Sequence, residues 1–302
     1  MKIYVNRFPI NAPWGGGNMW ASAFHKFAPE FGHEIVKKDN IAPDVILIAG
    51  LDNDGVGISA EQAIMYKLHN DKVKLVIRVN ENDARKSTSN VDNMLIKLSE
   101  HVDSTIFVSK WLQDYFNNKG WKCKNQCYIH NGVDKDIFKP QPKLNNGKIN
   151  IVSAHWSNNY MKGFDIYDQL DKFVGQNKDK FSFTYIGRER KTFNHTNVIS
   201  PLFGKKFGEE LGKYDICVSA SRFDPGPNHV LESISCEQPT YVHKDGGGCV
   251  EFAGTDHVYD DWKDFEKILL TNEFKQNSFK PVDWQSSIKD YINVLEKTCQ
   301  IT

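Results

Sequence analysis

Short apolar runs alternate along the chain with longer segments of helical periodicity. Several of the short runs are apolar almost throughout, which is typical of parallel strands buried on both faces. Runs of this kind predict β-strands over residues 2–6, 44–49, 74–79, 104–108, 126–130, 150–154, 181–186, 197–200, 215–219, 240–242 and 257–259.

Helical segments separate many of these strands. Aromatic residues recur at helical spacing from Trp20 to Phe31, and Ser59 followed by Gln62 forms the pattern of a capping box that opens the next helix. Repeated strand–helix–strand order predicts an α/β fold with right-handed crossovers.

The composition of residues 139–148 is that of a linker, with two prolines, a glycine and a single leucine. The strand–helix pattern restarts after it. We therefore predict an N-terminal Rossmann-like domain over residues 1–139 and a C-terminal one over 149–285. Residues 286–302 carry apolar side chains on one helical face, a pattern that allows packing on either domain.

Charge and composition exclude several classes of protein. The 302 residues include 38 Lys and Arg and 38 Asp and Glu, so the net charge is zero, which argues against binding nucleic acid by phosphate neutralisation. No apolar run approaches the roughly 20 residues of a membrane span, and the first residues carry no secretory signal. We expect a cytoplasmic protein whose six cysteines are reduced thiols.

Two facing open α/β domains place a cleft at the carboxyl ends of their strands, where ligands bind in this architecture. A glycine turn running from Trp14 through Gly16 and Gly17 to Asn18 follows the first strand. Its backbone can approach a ligand closely, and the following helix start favours an anion. A phosphate or sugar contact is predicted, with a plain tight turn as the alternative.

Charged and amide side chains crowd the turn after strand 74–79. Arg78, Asn80 and Asp83 predict an acceptor pocket with a catalytic carboxylate at Asp83, and a solvated loop is the alternative. Asp52 is placed on the same acceptor side. An Asp52–Asp54 metal site is a weaker alternative, because Asp-Asn-Asp is also ordinary turn chemistry.

The C-terminal half carries a lysine and two acids in loops after strands. Lys162 precedes Gly163 at a strand–helix turn, where a charge-assisted bond to a phosphate would contribute about 1.5–3 kcal/mol. Asp224 precedes a Pro-Gly-Pro loop that opens a helix near Asn228. That helix start can receive a diphosphate, and Asp224 and Glu232 can accept bonds from sugar hydroxyls.

Taken in order, these motifs resemble glycosyltransferase family 4, whose members are retaining, nucleotide-sugar-dependent enzymes of the GT-B fold. The segment 128–140 resembles its "NGVD…F.P" stretch, Lys162-Gly163 its "KG" turn, residues 215–232 its two-acid signature and residues 246–251 its "GG…E" turn. The resemblance implies two facing Rossmann-like domains, an interdomain cleft and a C-terminal crossover helix that returns to the first domain.

The resemblance also implies roles for individual residues. Lys162 would neutralise the departing diphosphate and Asp224 would contact the transferred sugar. The remaining donor-binding residues would be Gly16, Gly17, Pro201, Leu202, Asn228, His229, Val230 and Glu232.

Three positions depart from the family pattern. Asp224 stands where the family usually has Glu, the stretch 155–158 lacks the usual Arg, and the turn after strand 74–79 lacks the usual His. Arg188 is the predicted substitute for the missing Arg.

We therefore expect a metal-independent, hexosyltransferase-like enzyme without a cofactor. It would transfer a sugar from a UDP- or GDP-linked donor to a hydroxyl of a glycan or lipid-linked acceptor. The alternatives are a nucleotide-sugar epimerase and a non-catalytic module that binds nucleotide sugars or glycans. The sequence leaves open the base, the sugar, the acceptor, the oligomeric state and peripheral contact with the inner membrane surface.

Overall fold

The computed structural model describes residues 1–10, 15–37, 42–52 and 57–300. By its internal contacts the chain divides into two units. The first comprises residues 1–83, 88–132 and 282–302, and the second comprises 84–87 and 133–281. Each unit is built on a six-stranded sheet with helices between its strands, so the predicted α/β class is confirmed.

The sheet of the first unit has the strand order β2-β1-β3-β4-β5-β6, and all its paired strands are parallel. The prediction missed β2, because this two-residue strand is not an apolar run and is not buried. The strands are β1 (Lys2–Val5), β2 (Glu34–Ile35), β3 (Val45–Ile48), β4 (Lys74–Val79), β5 (Ser104–Phe107) and β6 (Gln126–Tyr128).

The helix that follows β3 begins where the sequence places its cap. The predicted capping box is present, because Ser59 Oγ accepts from the Gln62 N–H at 3.2 Å and Gln62 Oε1 accepts from the Ser59 N–H at 2.9 Å. The helices between residues 16 and 117 are α1 (Gly16–Phe27), α2 (Ala60–His69), α3 (Asp83–Lys86), α4 (Val91–Leu98) and α5 (Lys110–Asn117).

The C-terminal helix, Trp284–Gln300, packs on the first unit. Tyr291 lies against Trp20 and Phe24 of α1, with ring centroids 5.6 and 6.5 Å apart. Ile288 and Leu295 are fully buried in the same core. The apolar face predicted for this helix therefore packs against the core of the first unit.

The second unit has the strand order β12-β11-β10-β7-β8-β9, again with parallel pairs. Its strands are β7 (Ile149–His155), β8 (Phe181–Gly187), β9 (Asn197–Ile199), β10 (Ile216–Ser219), β11 (Thr240–His243) and β12 (Val258–Tyr259). Its helices are α6 (Phe164–Gln176), α7 (Gly204–Leu211), α8 (Asn228–Ser235), α9 (Gly248–Ala253) and α10 (Trp262–Thr271).

Residues before the predicted linker also pack on the second unit. Val133 and Phe138 are buried in its core, and the Phe138 ring lies 5.4 Å from that of Phe207. Within the linker, the Leu144 N–H donates to the Lys213 carbonyl at 3.1 Å. The stretch 133–148 is therefore attached along the second sheet.

Each sheet has one place where the strand order reverses. In the first sheet this lies between β1 and β3, and in the second between β7 and β10. Ligands bind outside the carboxyl ends of strands at such switch points in open α/β sheets. Among the helices of the described ranges, none is long and apolar enough to cross a membrane.

Candidate functional site

Lys162 and Asp224 meet at the switch point of the second sheet. Lys162 ends the 3-10 turn that follows β7, and Asp224 lies in the loop after β10. Lys162 Nζ donates to Asp224 Oδ2 at 3.0 Å, and both side chains are about one-tenth exposed. The structure thus brings together two residues to which the sequence assigned catalytic roles.

Gly163 allows the loop of Lys162 to pack on the loop of Asp224. Its φ of +81° is in the left-handed region, and a Cβ at this position would lie 2.1 Å from the carbonyl oxygen of Ala220. A side chain would therefore be excluded both by backbone strain and by the neighbouring backbone.

A second pair of contacts fastens these loops to each other. Both guanidinium Nη atoms of Arg222 donate to the Asp165 carboxylate, at 2.8 and 2.6 Å, and the Arg222 N–H donates to the Met161 carbonyl at 2.8 Å. A bidentate pair of this kind fixes orientation as well as distance. It holds the segment before Asp224 against the start of α6.

The glycine turn after β11 fixes the backbone of Asp224. The Asp224 N–H donates to the Gly246 carbonyl at 3.2 Å, and the Gly248 N–H donates to the Asp224 carbonyl at 2.8 Å. Gly247 has a φ of +66°. The turn that the sequence singled out at 246–251 therefore supports Asp224 through its backbone.

A second cation lies beside Asp224. Arg85 Nε is 3.5 Å from Asp224 Oδ2, and the four-residue segment that carries it belongs by its contacts to the second unit. Arg188, the predicted substitute for the family's arginine, lies elsewhere. It is exposed, and its guanidinium carbon stands 4.3 Å over the ring of Trp156.

Sequence reasoning missed Arg85 as an individual residue. Its signal was the dense charge of the turn after β4, but that turn lies about 140 positions before Asp224. Chain order alone could not connect the two.

The two cations set the ionisation of Asp224. Burial by itself would raise the pKa of Asp224, but the Lys162 and Arg85 charges outweigh burial and hold that pKa well below its usual range. The carboxyl group is therefore ionised at neutral pH. Lys162 and Arg85 both lie within 3.5 Å of this one carboxylate, in a poorly solvated place where electrostatic interactions are strong.

Two neutral histidines lie next to this cluster. The rings of His155 and His229 meet edge to face with centroids 4.6 Å apart. Burial and the nearby Lys162 and Arg85 charges lower the pKa of His229 to about 3, and burial likewise lowers that of His155. Both rings are uncharged at neutral pH and add nothing to the positive charge.

Hydrogen bonds fix both histidines. His155 Nε2 lies 2.6 Å from the hydroxyl of Tyr167, which also accepts from the Ala220 N–H at 2.9 Å. His229 Nε2 lies 2.7 Å from Ser219 Oγ. Through these bonds the two histidines contact Ser219 and, by way of Tyr167, Ala220, where β10 ends and the following loop begins.

Helix α8 starts four residues after Asp224, with Asn228, His229 and Val230 in its first turn. Pro227 is its N-cap and no side chain caps it. The first turn of a helix has N–H groups without intrahelical partners and carries positive dipole charge. This helix start is therefore suited to phosphate oxygens.

Glu232 lies one turn further along α8. It is 5% exposed, and no described residue donates a hydrogen bond to its carboxyl group. Burial raises its pKa to about 8. A buried carboxyl group without a donor is expected to find one, and hydroxyl groups of a ligand can supply it.

Pro201 and Leu202 are half-buried and lie between the end of β9 and the start of α7. They occupy the carboxyl edge of the second sheet, on its β9 flank. β8 separates that strand from β7, which leads to Lys162.

The site residues predicted in the first half of the chain lie in the first unit. Gly16 and Gly17 begin α1, and a Cβ on Gly17 would lie 3.4 Å from Asn80 Nδ2. Asp52 is exposed. Trp14 and Asp54, which belonged to the predicted glycine turn and metal alternative, lie outside the described residues.

The carboxylate of Asp83 is occupied by its own loop. It accepts from the Thr88 hydroxyl at 2.5 Å, and from the N–H groups of Asn90, Val91 and Asp92 at 3.1, 3.0 and 3.0 Å. These bonds lower its pKa against the opposing effect of burial. The arrangement fastens the start of α4 and leaves this carboxylate little capacity to serve as a base.

Within the part of the chain that the structure describes, no group of three or more His, Cys, Asp or Glu side chains could hold a metal ion.

No family model matches the sequence, and no curated protein matches it. Solved structures match closely in fold. A sucrose-phosphate synthase from Thermosynechococcus elongatus superposes with a TM-score of 0.70 and 10% identity over 100% of both chains. The two-sheet architecture and these full-length matches decide the fold.

The chain has the GT-B fold. Anabaena Alr3699/HepE, solved with UDP and glucose, matches with a TM-score of 0.70 and 14% identity over 100% of this chain and 98% of that one. The lipopolysaccharide outer core galactosyltransferase WaaB matches at 0.66 with 11% identity over 98% and 99%. The predicted fold class is thereby confirmed.

Proposed function

We propose that this protein is a retaining glycosyltransferase that moves a sugar from a nucleotide diphosphate sugar to a hydroxyl group of an acceptor. One observation carries the proposal. Lys162, Asp224 and Arg85 form a buried cluster of two cations and one carboxylate near the start of α8, and the next turn of that helix carries the unbonded acid Glu232.

The positive part of the site is matched to the leaving group. When the bond between the sugar and the diphosphate breaks, negative charge grows on the phosphate oxygen that departs. Lys162, Arg85 and the N–H groups at the start of α8 would stabilise this charge. Preorganised donors of this kind are each worth about 10²–10³ in rate.

The two acids are matched to the sugars of the donor. Asp224 lies between the cations, where it would accept a bond from a hydroxyl of the transferred sugar. Glu232 would accept bonds from the ribose hydroxyls. Asp224 is one methylene shorter than the Glu of the resembling family, so the sugar it holds would lie closer to the loop backbone.

The transfer step needs no side chain of the protein to act as a base. The bond from the anomeric carbon to the phosphate oxygen breaks, and a bond from that carbon to the acceptor oxygen forms on the same face. The acceptor proton passes to the departing phosphate oxygen. Because two side-chain cations and a helix start already face the diphosphate, we infer that no divalent metal is required.

The donor is proposed to be UDP- or GDP-linked. Alr3699/HepE, which shares the fold, has been solved with UDP-glucose, so UDP-sugars are the first probes. In this proposal the second unit binds the donor, and the first unit holds the acceptor near Arg78 and Asn80.

The experiment is an incubation of the protein with UDP-glucose, UDP-galactose or GDP-mannose and a panel of glycan and lipid-linked acceptors, followed by proton NMR. We expect nucleotide diphosphate release that depends on the acceptor, and a product with the donor's anomeric configuration. A product of inverted configuration would contradict the retaining mechanism. Donor converted without an acceptor indicates an epimerase, and binding without turnover on any acceptor indicates a non-catalytic module.

A further inference from the structure

Arg78 is a buried arginine without a counter-charge. It is 3% exposed and lies at the end of β4. Its Nε donates to the hydroxyl of Tyr291 at 3.1 Å and its Nη2 to Asn131 Oδ1 at 2.9 Å, while the guanidinium carbon stands 4.6 Å over the ring of Trp20. Its Nη1 has no partner among the described residues.

An arginine in this position is costly to keep. A buried charge is normally paired with an opposite charge, since desolvation costs several kcal/mol per ion. Neither described partner of the Arg78 guanidinium is a carboxylate. Burial lowers the pKa of Arg78, and the bond to Tyr291 only partly offsets this.

A second arginine adds to the same positive region. Arg7 follows β1, and a Cβ built on Gly50 would lie 3.0 Å from Arg7 Nη2, so its guanidinium rests on the Gly50 backbone. The Arg7 charge is close enough to lower the pKa of Arg78 further. Neither arginine forms an ion pair with a described carboxylate, even though Glu81 lies nearby.

The two arginines adjoin a pocket at the switch point of the first sheet. Gly50 and Leu51 line it after β3, and Arg78, Asn80 and Glu81 line it after β4. Arg7 follows β1, the neighbour of β3 on the other side of the reversal, and its guanidinium lies beside Gly50, which lines the pocket. This is where open α/β sheets bind ligands.

We propose that this pocket binds an oxyanion, a phosphate or carboxylate group carried by the acceptor. The inference rests on the proposed function in one respect, because it takes the ligand of the first unit to be the sugar acceptor. The unpartnered Nη1 of Arg78 and the guanidinium of Arg7 supply charge-assisted donors to the anion. The acceptor class is therefore an anionic one, and neutral glycans are poor acceptors.

The experiment measures anion binding without any turnover. Thermal unfolding is followed in increasing inorganic phosphate or acetate, with sodium chloride at matched ionic strength as reference. The parent is the Lys162→Ala variant, in which the site of the second unit has lost one of its cations and should bind the probe more weakly. We expect phosphate or acetate to stabilise this protein beyond chloride, and the better of the two identifies the group.

Arg7→Gln on that parent is expected to weaken binding of the anion by about tenfold or more, since a charge-assisted hydrogen bond is worth about 1.5–3 kcal/mol. Lys289→Gln, an exposed change on the C-terminal helix, is the matched control and should leave binding unchanged. Equal binding by the Arg7→Gln variant, or no effect of either anion beyond chloride, would overturn the proposal.

A second variant separates binding from structure. Arg78→Met keeps the apolar stem of the side chain and removes the buried charge. We expect it to fold and to lose the stabilisation by the anion. If the Arg78→Met protein folds and still binds the anion as its parent does, Arg78 only joins Tyr291 and Asn131, and the site is wrongly assigned. Because no sugar is transferred in this experiment, its failure would leave the proposed transferase activity untouched.

Discussion

Lys162 Nζ lies 3.0 Å from Asp224 Oδ2, although 62 positions separate the two residues in the chain. The pair joins the loops that follow β7 and β10, the neighbouring strands at which the order of the second sheet reverses. A ligand bound at this pair can contact the backbone of both loops and the N–H groups at the start of α8. The pair is therefore the centre of the proposed donor site.

The first prediction concerns the charge of Lys162. In a Lys162→Ala variant, turnover should fall by about 10²-fold or more, because one preorganised donor to the leaving phosphate is lost. The measurement is kcat in the transfer assay, with circular dichroism to verify folding. Lys244→Ala, an exposed change after β11, is the control. Near-normal turnover in Lys162→Ala would remove the role assigned to this lysine.

The second prediction asks which arginine assists. Arg85→Gln should lower kcat by about ten- to a hundredfold, in the range of losing one charged donor. Arg188→Gln should change kcat much less, because Arg188 is exposed over Trp156. If Arg188→Gln proved the more damaging change, the residue predicted from the sequence would be right and the contact of Arg85 with Asp224 incidental.

Much of the fold could be predicted from hydrophobic patterning. The central strands of both sheets are buried on both faces, so they read as apolar runs, and β4 was predicted with its observed bounds. The two-residue β2 was missed because it buries little. The 3-10 turn at Pro29–Phe31 was not separated from α1, because Phe31 continues the aromatic spacing beyond the end of that helix.

The site was predictable where chemistry is local in sequence. Lys162 with Gly163, and Asp224 with Glu232, stand in short motifs whose spacing is fixed by one turn or one helix. Arg85 was not predictable in this way, because it is distant from Asp224 in the sequence and the two residues meet only in the folded protein. Asp83 was assigned a catalytic role from its neighbourhood alone, and only coordinates reveal that its oxygens already accept bonds within its own loop.

The third prediction is a pH dependence caused by Glu232. Its pKa is raised from 4.5 to about 8 in the folded protein, so the folded state binds its proton more tightly than the unfolded state. The resulting stabilisation is fully present below about pH 4.5 and is lost progressively as pH rises through 8. Gln does not ionise, so the Glu232→Gln variant does not lose this stabilisation. Its melting temperature should therefore rise relative to that of the wild type as the pH increases from about 5 to 8.

Donor affinity should depend on the ionisation of Glu232 in the opposite direction. Ribose hydroxyls donate to the ionised carboxylate, so the wild type should bind a nucleotide sugar more tightly as pH rises from 6 to about 8. Glu232→Gln should bind weakly and without this rise. Parallel pH profiles for the two proteins, in melting temperature and in donor affinity, would contradict the assignment.

The fourth prediction concerns the backbone at Gly163. Gly163→Ala should destabilise the protein by about 1–2 kcal/mol from left-handed strain alone, and by about 1–3 kcal/mol more because the methyl group meets the Ala220 carbonyl. Gly120 has a similar φ of +91° but open space around it. Gly120→Ala therefore isolates the strain, and equal losses in chemical denaturation of the two variants would show that the close approach has no effect.

The fifth prediction is that the transferase activity resists chelation. With two side-chain cations at the proposed diphosphate site, treatment with EDTA and assay in metal-free buffer should leave kcat within about twofold of the untreated value, because the field that a metal would supply is already present. Complete loss, restored by Mn²⁺ or Mg²⁺, would bring back the alternative in which Asp52 and its neighbours hold a metal.

The central claim is that a nucleotide diphosphate sugar binds at Lys162, α8 and Glu232, and a thermal-shift screen of nucleotide sugars tests it most directly. A donor at about a hundred times its dissociation constant should stabilise the wild type by about 2.7 kcal/mol. The same donor should stabilise Lys162→Ala and Glu232→Gln far less. Stabilisation of all three proteins to the same extent, or of none by any UDP- or GDP-sugar, would contradict the account.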